Sequence, residues 1–383
     1  MKTRKIVIAC DSFKGSLSSM AVGEACRDGV RLAAADFGTR IDADVVPVGD
    51  GGEGTAEALM EALGASQRCV SVSGPLGDTF QAIYGFAPEN GTAVMEMASA
   101  SGITLVQPER RNAMAASSYG TGQMIADALN AGCREILIGI GGSATTDGGM
   151  GMLQALGYRF YDANGSLLDG CGANLAKVAH IDFSEVDKRL RDVRFTAACD
   201  VNNPLCGPEG SAAVFGPQKG ATPQMVEALD AGMRNYAHVA ARSLGYDKQN
   251  EAGSGAAGGL GFAFRAFLGA RLVPGIKMVL DAVGFDDRLN GADLVITGEG
   301  RLDHQTAMGK TPAGVLRPAR ERGVPVVANG GSLVPGTDFA QAGFAAIYPI
   351  VQGPCTLEEA MDPDNAAENI RRTVRQLVHA VNL

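Results

Sequence analysis

Short runs of Val, Ile and Leu recur along the chain, each followed by a Gly-rich polar segment and then a helical pattern of apolar positions. KIVIAC leads into DSFKGS and an Ala-rich amphipathic stretch from about Leu17 to Ala34. DADVVPV leads into GDGGEG and then TAEALMEALG, where Gly64 is a helix stop signal. EILIGI leads into GGSATTDGG and MGMLQALG, and ADLVIT into GEGRLDHQT and later PAGVLRPARERG. VPVVAN leads into GGS, and AAIYPIV precedes a closing helix from about Asn365 to Val381. Continuous apolar runs alternating with helices predict buried, largely parallel strands in an α/β architecture.

The middle of the chain has a different rhythm. CVSVSGPLGD, FQAIYGF and TAVMEMA, between residues 67 and 100, predict alternating strands joined by turns. Residues 158–216 carry more turns and short strands, and the long helices TPQMVEALDAGMRNYAHVAARSLG and GGLGFAFRAFLGA follow. The pattern predicts a mixed α/β domain, residues 67–285, inserted into a parallel α/β domain made of residues 1–66 and 286–383.

Composition narrows the function. A net charge of -9 repels nucleic acid and anionic membranes, and the absence of Trp argues against base-stacking platforms. The eight cysteines show no CxxC spacing and sit mostly in apolar stretches, so they predict neither a zinc site nor a disulfide framework. The apolar run in MKTRKIVIAC is too short for a signal peptide and no segment reaches membrane-spanning length. These features predict a cytoplasmic protein acting on a small molecule.

Ligands of open α/β sheets bind beyond the carboxyl ends of the strands. Four loops are expected there: DSFKGS, GDGGEGT, GGSATTDGG and GEGRLD. Their glycines offer backbone N–H groups to an anion, while their carboxylates would repel it unless a metal lies between. The combination predicts Mg²⁺ together with phosphate. ACDVNNPLCGPEGSAAVFGPQKGA adds oxygen groups at Asp200, Asn202 and Asn203, then Gln218 and Lys219. Two nucleotide signatures are near misses. GKT at 309–311 lacks the upstream Gly of a P-loop, with His304 in its place, and GSGAAG at 253–258 follows the polar YDKQNEA rather than a strand.

Taken together, DSFKGSLS, PVGDGGEGT, SSYGTGQMI, IGIGGSATTDGGMGMLQALG, ACDVNNPLCGPEGSAAVFGPQKGA, GSGAAGGLG and ADLVITGEGRLDHQTAMGKTP resemble the type-1 glycerate kinases, in the same order from residue 5 to past residue 315. Small departures are Cys10 for a usual Pro, Gly49 for Ala and Thr146 for Asn. The resemblance implies ATP-dependent phosphorylation of D-glycerate with Mg²⁺, mostly to 2-phosphoglycerate. The alternatives are 3-phosphoglycerate or another small hydroxy acid as acceptor. It also implies a Rossmann-like domain carrying a second α/β domain, with the active site in the cleft between them. The oligomeric expectation is a monomer or homodimer.

Phosphoryl transfer needs positioning and neutralisation of charge rather than covalent chemistry. On that basis DSFKGS is expected to hold glycerate's carboxylate or the moving phosphoryl group. Asp11, Ser12, Lys14 and Ser16 would contribute, with an anion nest formed by Ser16 and the N–H groups after Gly15. Asn202 and Arg301 are further substrate contacts, Arg301 through its two-pronged guanidinium. Gly141, Gly142 and Ser143 are expected to cradle ATP phosphates, with Lys219, Glu299 and Lys310 beside the nucleotide. Asp50, Glu53, Asp147 and Asp200 are candidates for Mg²⁺ or for the base that takes the hydroxyl proton, and the sequence does not choose among them. The catalytic set is Lys14, Asp50, Asp200 and Arg301.

Overall fold

The computed structural model describes residues 4–52, 54–303, 306, 310–334 and 339–381. Its strands are β1 (Arg4–Cys10), β2 (Ile41–Val45), β3 (Ser66–Ser73), β4 (Thr79–Ala87), β5 (Thr92–Glu96), β6 (Glu135–Gly139), β7 (Arg159–Tyr161), β8 (His180–Asp182), β9 (Arg194–Ala198), β10 (Arg271–Val273), β11 (Leu294–Leu302), β12 (Val326–Leu333) and β13 (Ala346–Pro349). The chain folds into two compact units, Met1–Leu63 with Ile276–Leu383, and Gly64–Gly275. Among the described residues no helix is long and apolar enough to cross a membrane.

The discontinuous unit holds a parallel sheet in the order β13-β12-β11-β1-β2. Ile6, Val7 and Ile8 are fully buried in its centre. The helices Ser19–Phe37 and Pro363–Ala380 add Val22, Val30, Ile370 and Val374 to that core. Ser18 starts the first of these by accepting from Ala21 N, and left-handed Gly38 ends it. From β1 the chain runs to β2 on one side, whereas β11, β12 and β13 lie on the other. The β1/β11 boundary is therefore the sheet's topological switch point.

GEGRLD and GGS read as loops, because glycine and charge are poor strand formers. Instead β11 runs on through Leu302 and β12 through Leu333, paired to the Leu302–Leu333 register. Glycine makes this possible by allowing close approach. A Cβ on Gly298 would stand 2.5 Å from Asn329 O, and one on Gly331 2.5 Å from Gly300 O.

The inserted unit has a mixed sheet in the order β10-β9-β6-β5-β4-β3 and a small β7-β8 pair. β3, β4 and β5 pair antiparallel, whereas β5, β6, β9 and β10 are parallel. Its core includes Phe160, Tyr236, Phe262 and Phe264. The helix Ala256–Phe267 differs from expectation at its start, where Ala257, Gly258 and Gly259 are left-handed. GSGAAG thereby serves backbone packing: Gly148 N donates to Gly258 O at 2.9 Å, and a Cβ on Gly258 would stand 1.8 Å from Thr145 O.

Candidate active site

At the carboxyl edge of the parallel sheet lies a cavity of about 790 Å³. The end of β1 and the turn after it bring Asp11, Ser12, Lys14 and Ser16 to its wall, and the loop after β2 brings Asp50. Glu299 and Arg301 arrive on the extended end of β11, and Lys310 caps the helix Thr311–Glu321. Eight of the residues singled out in the sequence thus line one cavity.

The two carboxylates at the switch point are held from below. Asp11 is 5% exposed; its Oδ1 accepts from Ser12 N at 2.7 Å and its Oδ2 from Thr311 Oγ1 at 2.6 Å. Burial raises its pKa, with Asp50 adding to the rise and Thr311 opposing it. Glu299 accepts from Thr306 Oγ1, and burial pushes its pKa up to about 6 against that hydrogen bond and the charge of Lys310. Lys14 Nζ lies 3.9 Å from Asp50 Oδ2 and is 60% exposed. Asp50 Oδ1 also accepts from Gly52 N at 3.0 Å.

The turn itself differs from the expected anion nest. Gly15 takes φ +78°, and Ser16 N and Leu17 N both donate to Phe13 O, at 2.8 and 3.0 Å. Those two N–H groups are already used to close the turn. What the turn offers instead is Ser16 Oγ, buried and without a hydrogen-bond partner among the described residues.

The remaining candidates belong to the inserted unit. Gly141 and Gly142 are exposed at the end of β6, Gly142 with φ +71°. Lys219 is 2% exposed, and its Nζ donates to Ser143 Oγ at 2.6 Å and Thr145 O at 2.7 Å. Burial lowers its pKa to about 7, with the charge of Asp147 opposing. So enclosed, Lys219 acts on the Ser143–Thr145 loop from beneath rather than on a ligand directly. Asp147 is wholly buried and accepts from Ser118 N and Oγ, both at 2.7 Å, from Gly149 N at 3.1 Å and from Gly151 N at 3.2 Å. Four donors saturate that carboxylate and leave it no face for a metal. Asp200 is exposed and accepts from Gly275 N at 3.0 Å, and Asn202 is exposed. Glu53 lies outside the described residues.

Sequence inspection missed Thr306 and Thr311, which orient Glu299 and Asp11, and the short helix Leu357–Met361 that walls the cavity. The helix had a signal in TLEE: Thr356 and Glu359 form a reciprocal capping box. Among the described residues no group of three or more His, Cys, Asp or Glu is arranged to hold a metal. Mg²⁺ shared with nucleotide phosphates through one or two carboxylates, such as Asp50, fits this donor set better than a protein cage.

A parallel α/β unit that sets lysine and arginine against buried carboxylates at its switch point has the layout of a small-molecule phosphotransferase. The chain belongs to the glycerate kinase family, whose model matches residues 6–382. It is 45% identical to the glycerate kinase of Bacillus subtilis over 99% of this chain and 98% of that protein. It is 43% identical to the glycerate 2-kinase of Escherichia coli over 97% of each. A crystal structure of a glycerate kinase 2 candidate from Salmonella typhimurium superposes with a TM-score of 0.90 at 46% identity, covering 100% of this chain and 99% of that one.

Proposed function

We propose that the protein transfers the γ-phosphoryl group of ATP to D-glycerate and yields 2-phosphoglycerate. The observation that carries this is the switch-point cavity, in which Lys14, Arg301 and Lys310 share a wall with Asp11, Asp50 and Glu299 in a chain of the glycerate kinase family. Arg301 grips the substrate carboxylate, and Ser12 and Ser16 donate to substrate oxygens. Lys14 and Lys310 neutralise the charge that spreads over the moving phosphoryl group. Glu299 accepts the proton of the attacking hydroxyl, since a carboxylate with its pKa raised to about 6 is largely ionised at neutral pH yet more basic than an ordinary one.

Gly141, Gly142 and Ser143 supply N–H and hydroxyl donors to phosphate oxygens, with Lys219 fixing Ser143. Mg²⁺ would enter with ATP and supply charge neutralisation there, and Asp50, on the loop after β2, would meet it. The protein works in the cytoplasm as a monomer or homodimer. Incubation with D-glycerate, ATP and Mg²⁺, followed by phosphorus NMR, tests the product. Phosphate at the 2-position is expected, and phosphate at the 3-position would overturn the regiochemistry while leaving the kinase assignment intact.

A further inference from the structure

The cavity falls within the size range of pockets that hold drug-sized ligands, about 300–1,000 Å³. Glycerate is a three-carbon acid with no apolar face, so it cannot account for the whole space. The lining divides along the sheet. Charged residues come from the β1, β2 and β11 ends, whereas Ile350 and Val351 follow β13 at the far edge, joined by Leu357 and Met361. Leu357 is 75% exposed and Met361 37%, so two large apolar side chains on a concave wall lack cover. The two ends are physically linked, since a Cβ on Gly15 would stand 2.9 Å from Met361 Cε. Methionine suits a flat ligand because its polarizable, unbranched chain adapts to it.

We propose that this apolar end holds the purine base of the phosphoryl donor, so that the nucleotide lies along the sheet edge from β13 toward β1. The base is the one apolar, planar part of the two reactants, and the charged end is where its phosphates must arrive. The inference rests on the reading that ATP is the donor.

The test uses a Leu357→Ser/Met361→Ser double variant and, as a milder change, Leu357→Ala. Calorimetry with a non-hydrolysable ATP analogue measures base plus phosphates, inorganic tripolyphosphate measures phosphates alone, and glycerate KM reports the acceptor. The analogue is expected to bind the double variant about tenfold or more weakly, from the loss of apolar burial. Leu357→Ala should fall between, while tripolyphosphate binding and glycerate KM stay at wild-type values. Analogue binding within twofold of wild type in the double variant overturns the proposal. Equal weakening of the analogue and tripolyphosphate overturns it too, because the loss would then concern phosphate or the fold. The binding readout needs no turnover. A wild-type protein that fails to phosphorylate glycerate would sink the proposed function and leave this test standing.

Discussion

At the end of β1, Asp11 and its neighbours Lys14, Asp50 and Glu299 face an open cavity, and Ser16 Oγ has no partner among the described residues. At the loop after β6, Asp147 takes four donors and Lys219 takes two acceptors, and both side chains are enclosed. Both regions are Gly-rich, acidic strand-to-helix connections, and in sequence they look equivalent. The difference lies in where hydrogen-bonding capacity is spent. DSFKGS leaves the Lys14 charge exposed and the Ser16 hydroxyl unpartnered among the described residues beside the cavity, as ligand binding requires. GGSATTDGG spends the charge of Asp147 on Ser118, Gly149 and Gly151, which leaves no metal site at that carboxylate.

Substitutions can break this contrast. The largest effect is expected at Glu299. If it takes the hydroxyl proton, Glu299→Gln should lower kcat by about 10²–10⁴. In the unaltered protein kcat/KM should rise with pH through about 6 as Glu299 ionises, and that limb should vanish in the variant. A pH–rate profile for both proteins checks this. Asp147→Ala should act on stability instead. It strips a buried acceptor from four donors, at a cost of about 3–5 kcal/mol in chemical denaturation. Protein that remains folded should keep its glycerate KM.

The smallest effect is a difference in pH response. The folded pKa of Lys219, about 7, lies below its ordinary 10.5, so between those values the unfolded chain binds more protons. Stability should therefore rise with pH across that window, and Lys219→Met should flatten the rise. Glu299 has the opposite sign. Its folded pKa of about 6 lies above its ordinary 4.5, so the folded chain binds more protons and stability falls as pH climbs from 4.5 to 6. Denaturant midpoints measured across pH 4–10 in wild type, Lys219→Met and Glu299→Gln separate the two contributions.

Much of the fold was legible because burial leaves a plain mark: KIVIAC, EILIGI and ADLVIT each hold an unbroken apolar run and become central parallel strands. The inserted mixed sheet was legible from the change of rhythm after residue 66. GEGRL was not, since its strand depends on pairing with the end of β12, some 30 positions away, rather than on the strand propensity of its own side chains. In the site, the short-range motifs were visible, whereas the partnership of Thr311 with Asp11 spans 300 positions and leaves no local trace. Nor does sequence reveal that Asp147 and Lys219 are enclosed, because a charged residue in a polar loop reads as exposed.

If phosphoryl transfer takes place at the β1/β11 edge, Lys14 stabilises the moving group. Steady-state kinetics of Lys14→Met, with its melting temperature measured alongside, tests it most directly. Lys14 is 60% exposed, so melting should not move. Losing one charge-assisted contact in the transition state should cost about 2–4 kcal/mol, roughly two to three orders of magnitude in both kcat and kcat/KM. Near-wild-type kinetics for both glycerate and ATP in a stable Lys14→Met protein would contradict the account.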